Sequence, residues 1–428
     1  MKKMLVIGLL LIAGMAFSSA AAPQAPATIK IGVLHSLSGT MAISETTLKD
    51  TILMMIEDQN KKGGLLGKKL GAVVVDPASN WPLFAEKAQQ LLEKDKVAVV
   101  FGCWTSVSRK SVLPVFEKNN GLLFYPVQYE GEESSKNVIY TGAAPNQQAI
   151  PAVDYLMKDL AVKRWVLEGT DYVYPRTTNK ILEAYLLSKG VAAADISINY
   201  TPFGHSDWQT RVAAIKKFGS AGKKTAVVST INGDANVPFY KELGNQKVSA
   251  EDIPVVAFSV GEEELSGLDT KPLLGHLAAW NYFQSVKTPA NTAFINQWHT
   301  YIKSNKRTTN DPMEAHYVGF NLWVKAVQKA GTTDVEKVLA ALPGLETPNL
   351  TGGVAKMLAN HHITKPVYIG EVRADGQFDV VWKTTGTVPG DAWSDFLPGS
   401  KDIDADWVTL KCGNYNKTTK KCSGQNYK

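Results

Sequence analysis

The sequence predicts an α/β protein with two doubly wound parallel-sheet lobes. Short continuous apolar runs alternate with segments of helical period, as expected for parallel strands that are covered on both faces and joined by right-handed crossover helices. This alternation stops after about residue 140 and resumes near residue 164. The chain has 428 residues, which is long for one ordinary hydrophobic core and sufficient for two lobes.

Residues 1–25 are expected to form a secretory signal peptide. Lys2 and Lys3 form a basic start, Met4 to Phe17 is apolar, and small residues follow from Ser18 to Ala22. A transmembrane helix needs roughly 20 apolar residues, which is more than this run supplies. We therefore expect cleavage of the signal, export to the periplasm, and no membrane insertion of the mature chain.

The composition is that of a globular protein, with 44% hydrophobic and 20% charged residues and a net charge of +6. The Lys and Arg residues of the mature chain form no block apart from Lys417 to Lys421, so nucleic-acid binding has little support. Three cysteines are present, and Cys103 is expected to be buried and unpaired. In an oxidising compartment Cys412 and Cys422 form a candidate disulfide of the tail.

The first lobe is expected to contain the first run of alternating strands and helices. Its strands are predicted at Ile29–Leu34, Ala72–Asp76, Val97–Phe101 and Leu122–Tyr125. Helices are predicted where Leu48, Ile52, Met55 and Ile56 share one face, at Pro82 to Glu93, and through Lys110–Lys118. Two later helices, through Gln297–Ser304 and Glu314–Ala330, are expected to return to this lobe.

The second lobe is expected to begin with the strand Arg164–Leu167. Its further strands are predicted at Thr225–Thr230 and Pro254–Phe258, with an antiparallel pair at Val367–Val372 and Phe378–Trp382. Three crossing segments are predicted near Gly142–Asn146, Trp280–Gln284 and Asn349–Gly353. The first lobe is then 27–143 and 283–348, the second is 146–279 and 350–395, and a C-terminal tail occupies 399–428.

The loops that follow the first-lobe strands carry a candidate binding site. In an open parallel sheet such loops share the carboxyl edge, where small ligands bind. The candidate ligand-binding residues in these loops are Trp104, Thr105, Ser106, Tyr125 and Gln128. The possible further residues, at the end of the first strand, are Ser38, Gly39 and Thr40. The alternative role of Thr105 and Ser106 is to cap the helix that follows them.

Polar and aromatic residues follow three strands of the second lobe as well. The candidate ligand-binding residues there are Tyr172, Tyr174, Asn232, Asp234 and Glu262. Glu262 lies nearest to its strand and is expected to face the cleft between the lobes. Glu263 and Glu264 are expected to be charges at the start of a helix, where the helix dipole favours them, and this role is also the alternative for Glu262.

A close resemblance to the urea-binding proteins of ABC importers is carried by residues 101–131, which read FGCWTSVSRKSVLPVFEKNNGLLFYPVQYEG. The same residues resemble, more distantly, the amide-binding receptors that share that fold. The likeness extends from about Ile29 to about Trp393. It implies a type I periplasmic binding protein fold whose lobes close on urea or a short amide. It also implies delivery of this small neutral ligand to an inner-membrane ABC permease, with no enzymatic activity and no cofactor.

The candidate residues suit such a ligand chemically. Urea is planar and neutral and carries several N–H donors around one carbonyl acceptor. Glu262 could accept two N–H bonds, and Asn232 or Asp234 could accept another. Ser106 and nearby backbone N–H groups could donate to the carbonyl oxygen. Flat walls would come from Trp104, Tyr125 and Tyr172, because aromatic faces with polar tips hold a flat ligand in a small pocket.

Three other functions are alternatives to a urea or amide receptor. A branched-chain amino-acid receptor would share the fold but needs a charge anchor at each end of a zwitterion and an apolar pocket. A cytoplasmic amide sensor or regulatory subunit should lack an export signal. An exported enzyme has little support, because the sequence contains no G-x-x-x-x-G-K-[ST], H-E-x-x-H or G-x-S-x-G motif. The pair His361-His362 is interpreted as a surface feature and not as a metal site.

Overall fold

A computed structural model describes residues 28–397 and, in the tail, the backbone of 403–404, 412–416 and 421–426. The signal peptide expected at residues 1–25 lies outside this part of the chain. The described residues form two α/β lobes, each built on a mostly parallel sheet, which confirms the predicted fold class. Between residues 28 and 397 no helix is long and apolar enough to cross a lipid bilayer.

The first lobe is built on five parallel strands. These are β1 (Ile29–Leu34), β2 (Leu70–Val75), β3 (Val99–Gly102), β4 (Leu123–Tyr125) and β5 (Val138–Tyr140). Their order across the sheet is β2-β1-β3-β4-β5, so the loops after β1, β3 and β4 lie side by side at one edge. The helices between the strands are α1 (Ala42–Lys61), α2 (Trp81–Gln89) and α3 (Ser106–Lys118).

The second lobe begins with five more parallel strands. These are β6 (Arg164–Thr170), β7 (Ile196–Thr201), β8 (Thr225–Thr230), β9 (Val255–Ala257) and β10 (Leu277–Trp280). The helices of this stretch are α4 (Ala149–Lys158), α5 (Val173–Ser188), α6 (Gln209–Gly219), α7 (Asn236–Asn245) and α8 (Glu262–Leu265). Both faces of the sheet are covered: Val227 packs into one buried cluster, and its neighbours Ala226 and Val228 pack into another. This explains why these strands read as continuous apolar runs.

The chain then returns to the first lobe, as predicted. It forms α9 (Pro289–Ile302), α10 (Asp311–Ala330) and α11 (Val335–Ala341), which contribute Phe294, Trp298 and Trp323 to the first-lobe core. A hairpin of β11 (Glu346–Pro348) and β12 (Val354–Lys356) follows.

The prediction of the third crossing at Asn349–Gly353 is wrong. These residues form the turn of the β11–β12 hairpin, and Leu350 and Ile363 are still buried in the first-lobe core. His362 even pairs with Tyr140 at the edge of the first sheet. The chain leaves the first lobe only at β13 (Thr364–Lys365), so the first lobe extends about fifteen residues beyond the predicted boundary at residue 348.

The last strands of the second lobe are antiparallel. They are β14 (Tyr368–Val372) and β15 (Phe378–Lys383), followed by the short β16 (Val388–Pro389) that pairs with β13. They extend the second sheet to the order β15-β14-β10-β9-β8-β6-β7. The predicted antiparallel pair is confirmed, and Gly376 provides the positive φ of 75° that its turn requires.

One side chain connects all three crossings. Asn281, at the start of the second crossing, donates from Nδ2 to the carbonyl of Gln147 in the first (2.9 Å) and to that of Pro366 in the third (2.7 Å). Its backbone N–H donates to Asp311 Oδ2 at 2.9 Å. Asn281 therefore holds the three strands of the hinge in one arrangement.

The tail contributes three short strands, β17 (Ile403–Asp404), β18 (Cys412–Asn416) and β19 (Lys421–Asn426). In the backbone register, Cys422 lies opposite Tyr415, and Cys412 lies opposite Asn426. The side chains of both cysteines lie outside the described residues. The Cys412–Cys422 disulfide therefore stays a prediction, and it would require this register to change because bridged Cα atoms lie within about 7 Å.

Candidate functional site

The loops at the carboxyl edges of the two sheets face each other and touch. The indole Nε1 of Trp104, after β3, donates to Asn232 Oδ1, after β8, at 3.2 Å. Gln128, after β4, donates from Nε2 to the hydroxyl of Ser259, after β9, at 2.7 Å. All four side chains are buried. The structure therefore shows the two lobes closed on each other, with predicted site residues on both sides.

An aromatic cluster seals the same interface. Tyr172 and Tyr174 of the second lobe pack with Val107 at the start of α3. The Tyr172 ring lies 4.8 Å from that of Phe203, which in turn lies 5.2 Å from Trp81 of the first lobe. The structure thus brings the two predicted tyrosines against the loop that contains Trp104 and Ser106.

Two buried polar atoms at this interface have no hydrogen-bond partner within the described chain. They are Oε1 of Gln128 and the hydroxyl of Tyr174. Burial raises the pKa of Tyr174, so its hydroxyl keeps its proton and stays neutral. Leaving such atoms unpaired costs about 1–3 kcal/mol each. Both atoms thus have hydrogen-bonding capacity that the described chain does not use.

Thr105 and Ser106 have different roles. The side chain of Thr105 accepts from the backbone N–H of Ser108 at 3.1 Å and is the N-cap of α3, as the structural alternative predicted. The Ser106 hydroxyl donates to Glu130 Oε2 and accepts from Arg109 Nη1 at 3.0 Å. The Ser106 proton is therefore committed within the first lobe.

Arg109 is fully buried beneath this loop. It pairs with Glu130 at 3.0 Å and with Glu133 at 2.7 Å, and its guanidinium stacks over Tyr125 (4.7 Å) and Tyr129 (4.8 Å). Burial alone would lower the pKa of Arg109, but the two carboxylates outweigh it and raise that pKa. Burial likewise opposes ionisation of Glu133, but Arg109 and Lys110 outweigh it and lower its pKa. Arg109 and Glu133 therefore stay ionised and compensate each other.

Tyr125 is a wall residue whose hydroxyl is already used. It donates to the carbonyl oxygen of Trp104 and so fixes the loop that reaches across the cleft. Asn232 is also engaged at both ends, because its Nδ2 donates to the carbonyl of Thr230 while its Oδ1 accepts from Trp104. Both residues shape the site more than they offer free polar atoms to it.

Four predicted residues lie at the rim. Asp234 is exposed, and it is its backbone N–H, not its carboxylate, that contacts the opposite lobe, at the carbonyl of Thr40 (3.1 Å). Ser38 and Gly39 are exposed as well, and Ser38 bonds Asp76. The carboxylate of Asp234 is accordingly not placed as a buried ligand acceptor.

Glu262 is buried, but its carboxyl contacts the hinge. Oε1 accepts from the backbone N–H of Gln284 at 2.7 Å, and Oε2 has no partner in the described part of the chain. Burial raises the pKa of Glu262 to about 8, so it is protonated at neutral pH and does not provide the charged acceptor that the sequence predicts. Glu264 instead reaches across the cleft, where it accepts from the Ser44 hydroxyl of the first lobe at 2.6 Å.

Glu264 also has the helix-start role predicted for it, because its second oxygen accepts from the backbone N–H of Gly261. Glu263 pairs with Arg307 of the first lobe at 3.1 Å. The sequence does not assign roles to Ser259, Arg109 or Glu130. For Ser259 and Arg109 the available signal is position: Ser259 lies two residues after β9, and Arg109 lies one helical turn after Ser106.

Nothing in residues 28–397 brings three His, Cys, Asp or Glu side chains together as a metal site. The interpretation of His362 as a surface residue is wrong: its ring is buried, stacks on Tyr140 at 4.8 Å, and shares a hydrogen bond with the Tyr129 hydroxyl. Cys103 is buried and free, as predicted.

Comparison with known proteins extends over both lobes. A family model described as a periplasmic binding protein domain matches residues 29–399. A Leu/Ile/Val-binding protein from Rhizobium johnstonii is 26% identical over 80% of this chain and 90% of its own length. A Leu/Ile/Val-binding protein homologue from Brucella melitensis is 24% identical over 83% of this chain and 90% of its own length. A shorter match, 30% identical, covers 28% of this chain and only 22% of a limonene hydroxylase from Geobacillus stearothermophilus.

Solved structures share the architecture. A solute-binding protein of an ABC transporter from Rhodopseudomonas palustris, in complex with p-hydroxybenzoic acid, has a TM-score of 0.73 at 20% identity and covers 86% of this chain and 99% of its own. A leucine-binding protein from Thermotoga maritima has a TM-score of 0.67 at 18% identity, with 83% of this chain and 98% of its own covered. At these identities the likeness shows the fold alone.

Proposed function

The chain belongs to the periplasmic binding protein family, and we propose that the solute it captures is urea or a short primary amide. It has the type I periplasmic binding protein fold, and its relatives are receptors that bind small solutes for ABC permeases. The finer identity of the solute is argued from the closed cleft. One observation carries it: the polar atoms without partners at the interface are neutral, while the charged groups beside them are paired with each other.

The free atoms suit a neutral ligand with N–H groups. Gln128 Oε1 can only accept a hydrogen bond, and the Tyr174 hydroxyl can donate or accept. Helix α3 begins at Ser106, so its first N–H groups have no partner inside the helix and can donate to a carbonyl oxygen. Urea and primary amides offer both N–H donors and a carbonyl oxygen. Trp104, Tyr125 and Tyr172 add the flat apolar surfaces that such a planar molecule needs.

A branched-chain amino acid is the second candidate, because the relatives that align over both lobes are named as Leu/Ile/Val-binding proteins. Such a ligand carries an ammonium and a carboxylate, and each needs a charged or strongly polar anchor once it is buried. The charges next to the closed cleft are instead engaged in the Arg109–Glu130–Glu133 group. This arrangement favours the neutral solute.

Titration calorimetry on the purified mature protein tests the proposal. The panel is urea, acetamide, formamide, leucine and 4-hydroxybenzoate. We expect heat of binding with urea or an amide and little with leucine or 4-hydroxybenzoate. Binding of leucine or 4-hydroxybenzoate without measurable binding of urea or any amide would refute the proposed solute. Release of ammonia from urea or acetamide would instead show that the protein hydrolyses the solute and is an enzyme.

A further inference from the structure

The hydrogen-bonding capacity of Ser106 is almost fully used inside the first lobe. A serine hydroxyl has one proton to donate and two lone pairs to accept with. The proton of Ser106 is donated to Glu130 Oε2, and one lone pair accepts from Arg109 Nη1 at 3.0 Å. A single lone pair is left, so towards anything else Ser106 is an acceptor only.

Gln128 also offers an acceptor. Its amide Nε2 donates one N–H to Ser259 across the interface at 2.7 Å, and its Oε1 is buried without a partner in the described chain. The orientation of the amide is set by this bond to Ser259. Gln128 therefore presents Oε1 as an acceptor beside the second N–H of its amide.

Ser106 lies at the boundary between the lobes. Trp104, two residues before it, bonds Asn232 of the second lobe, and Val107, the residue after it, packs with Tyr172 and Tyr174. The Tyr174 hydroxyl lies close to Gln128 and Ser259. Ser106 and Gln128 therefore lie at the same contact between the lobes.

We infer that Glu130 determines solute specificity by holding the Ser106 proton, so that the closed cleft accepts solutes that donate N–H groups and rejects carboxylates of the same shape. This inference rests on the proposed function and specifies what the site selects. A primary amide places an N–H hydrogen against the Ser106 oxygen. A carboxylate of the same size places an anionic oxygen there, with no hydrogen between it and the Ser106 lone pair.

The position of Glu130 is itself fixed. Its Oε1 accepts from Arg109 Nη2 at 3.0 Å, and Arg109 is held by Glu133 and by the rings of Tyr125 and Tyr129. The carboxylate cannot turn its second oxygen away from Ser106 without breaking the pair with Arg109. Glu130 is thus a positioning residue that acts on the solute through Ser106.

Acetamide and acetate test this inference, because they differ mainly by an NH₂ group in place of an oxygen. In calorimetry, wild type should bind acetamide about tenfold or more tightly than acetate, because acetate makes an unfavourable contact with the Ser106 oxygen. In Glu130→Gln, the new amide oxygen takes the Arg109 bond and its NH₂ donates to Ser106. The Ser106 proton is then released towards the cleft, and the acetamide-to-acetate preference should fall about tenfold or more.

Ser106→Ala provides a second variant that leaves the buried charges intact. It should weaken acetamide about tenfold and strengthen acetate by up to about tenfold, because the oxygen that accepts from the amide and repels the carboxylate is gone. Glu336→Gln, in an exposed pair with Lys136 on the same lobe, is the control and should change neither affinity. Thermal melting of all variants shows that they are folded.

The outcomes distinguish a failure of the inference about Glu130 from a failure of the proposed function. If wild type binds urea or acetamide but both variants keep the wild-type affinities, the inference fails and the proposed function stands. If wild type binds acetate or leucine and no amide, the proposed function fails and the inference fails with it.

Discussion

Replacing Glu262 by Gln is expected to stabilise the protein at neutral pH and to leave solute affinity nearly unchanged. The Glu262 carboxyl is buried against the hinge, where Oε1 accepts from the backbone of Gln284. Burial raises its pKa from 4.5 to about 8, so the folded protein holds this proton at pH 7. The unfolded chain, in which the ordinary pKa applies, releases it.

The size of the effect follows from proton linkage. Since the folded state binds the proton more tightly, the free energy of unfolding falls as the pH rises from about 4.5 to about 8. The unfolded-state pKa of 4.5 lies 7 − 4.5 = 2.5 units below pH 7. At about 1.4 kcal/mol per unit, the free energy of unfolding at pH 7 is lower by roughly 3 kcal/mol. Gln has the shape of the protonated carboxyl and does not ionise. The variant should therefore equal wild type below about pH 4.5 and exceed it by roughly 3 kcal/mol at pH 7.

Guanidinium denaturation between pH 4 and pH 8.5 measures this difference. Urea is avoided as denaturant because it is the proposed solute. Glu251→Gln, an exposed glutamate of the same lobe, is the matched control and should follow wild type. Parallel pH profiles for Glu262→Gln and wild type would refute the argument. A tenfold loss of urea affinity in Glu262→Gln would restore the sequence-based view of Glu262 as a charged ligand acceptor.

Three further predictions concern the hinge, the interface and the tail. Asn281→Ala should lower the free energy of unfolding by about 1–3 kcal/mol, because two buried carbonyls of the other crossings lose their donor; unchanged guanidinium denaturation would contradict this. Trp104→Phe keeps an aromatic ring but loses the bond to Asn232, so calorimetry should show solute affinity reduced about threefold to tenfold. If Trp104→Phe binds the solute as tightly as wild type does, the Trp104–Asn232 hydrogen bond does not contribute to closure. A Cys412–Cys422 bridge requires β18 and β19 to pair in another register, and we expect intact mass spectrometry of periplasmic protein to show the two cysteines joined, with unchanged solute affinity in Cys412→Ser; two free thiols would disprove the bridge.

Most of the fold could be predicted because its strands leave few alternatives. The run Thr225–Thr230 is short, uncharged and bounded by turn residues, which favours a strand covered on both faces, and all six of its residues are buried. The third crossing could not be located in this way. The glycines at 352 and 353 suit a linker and a hairpin turn equally well. The burial of Leu350 and Ile363 against the first-lobe helices distinguishes the two, and it is a long-range property.

The site was predictable as a set of loops but not as a set of hydrogen bonds. Distance from a strand end identified Ser106 and Glu262, yet it gives no information about which group holds each proton. Ser106 was expected to donate to the ligand, and its proton is bonded to Glu130, 24 residues away. Glu262 was expected to be charged, and burial at the hinge keeps it neutral. Both differences arise from tertiary partners that residue type and spacing do not specify.

These hydrogen bonds also connect selectivity with closure. Bringing the lobes together buries Gln128 Oε1 and the Tyr174 hydroxyl without partners, which costs about 1–3 kcal/mol for each atom. The hydrogen bonds that join the lobes at Trp104 and Gln128 stabilise the closed state by about as much as the unpartnered atoms destabilise it. Without a solute, this contact therefore stabilises the closed state only a little. A solute with N–H groups removes the cost at Gln128, and a relief of about 1.4 kcal/mol shifts the balance towards the closed state tenfold. A carboxylate leaves that cost in place, so the atoms that select the solute are also those that make closure depend on it.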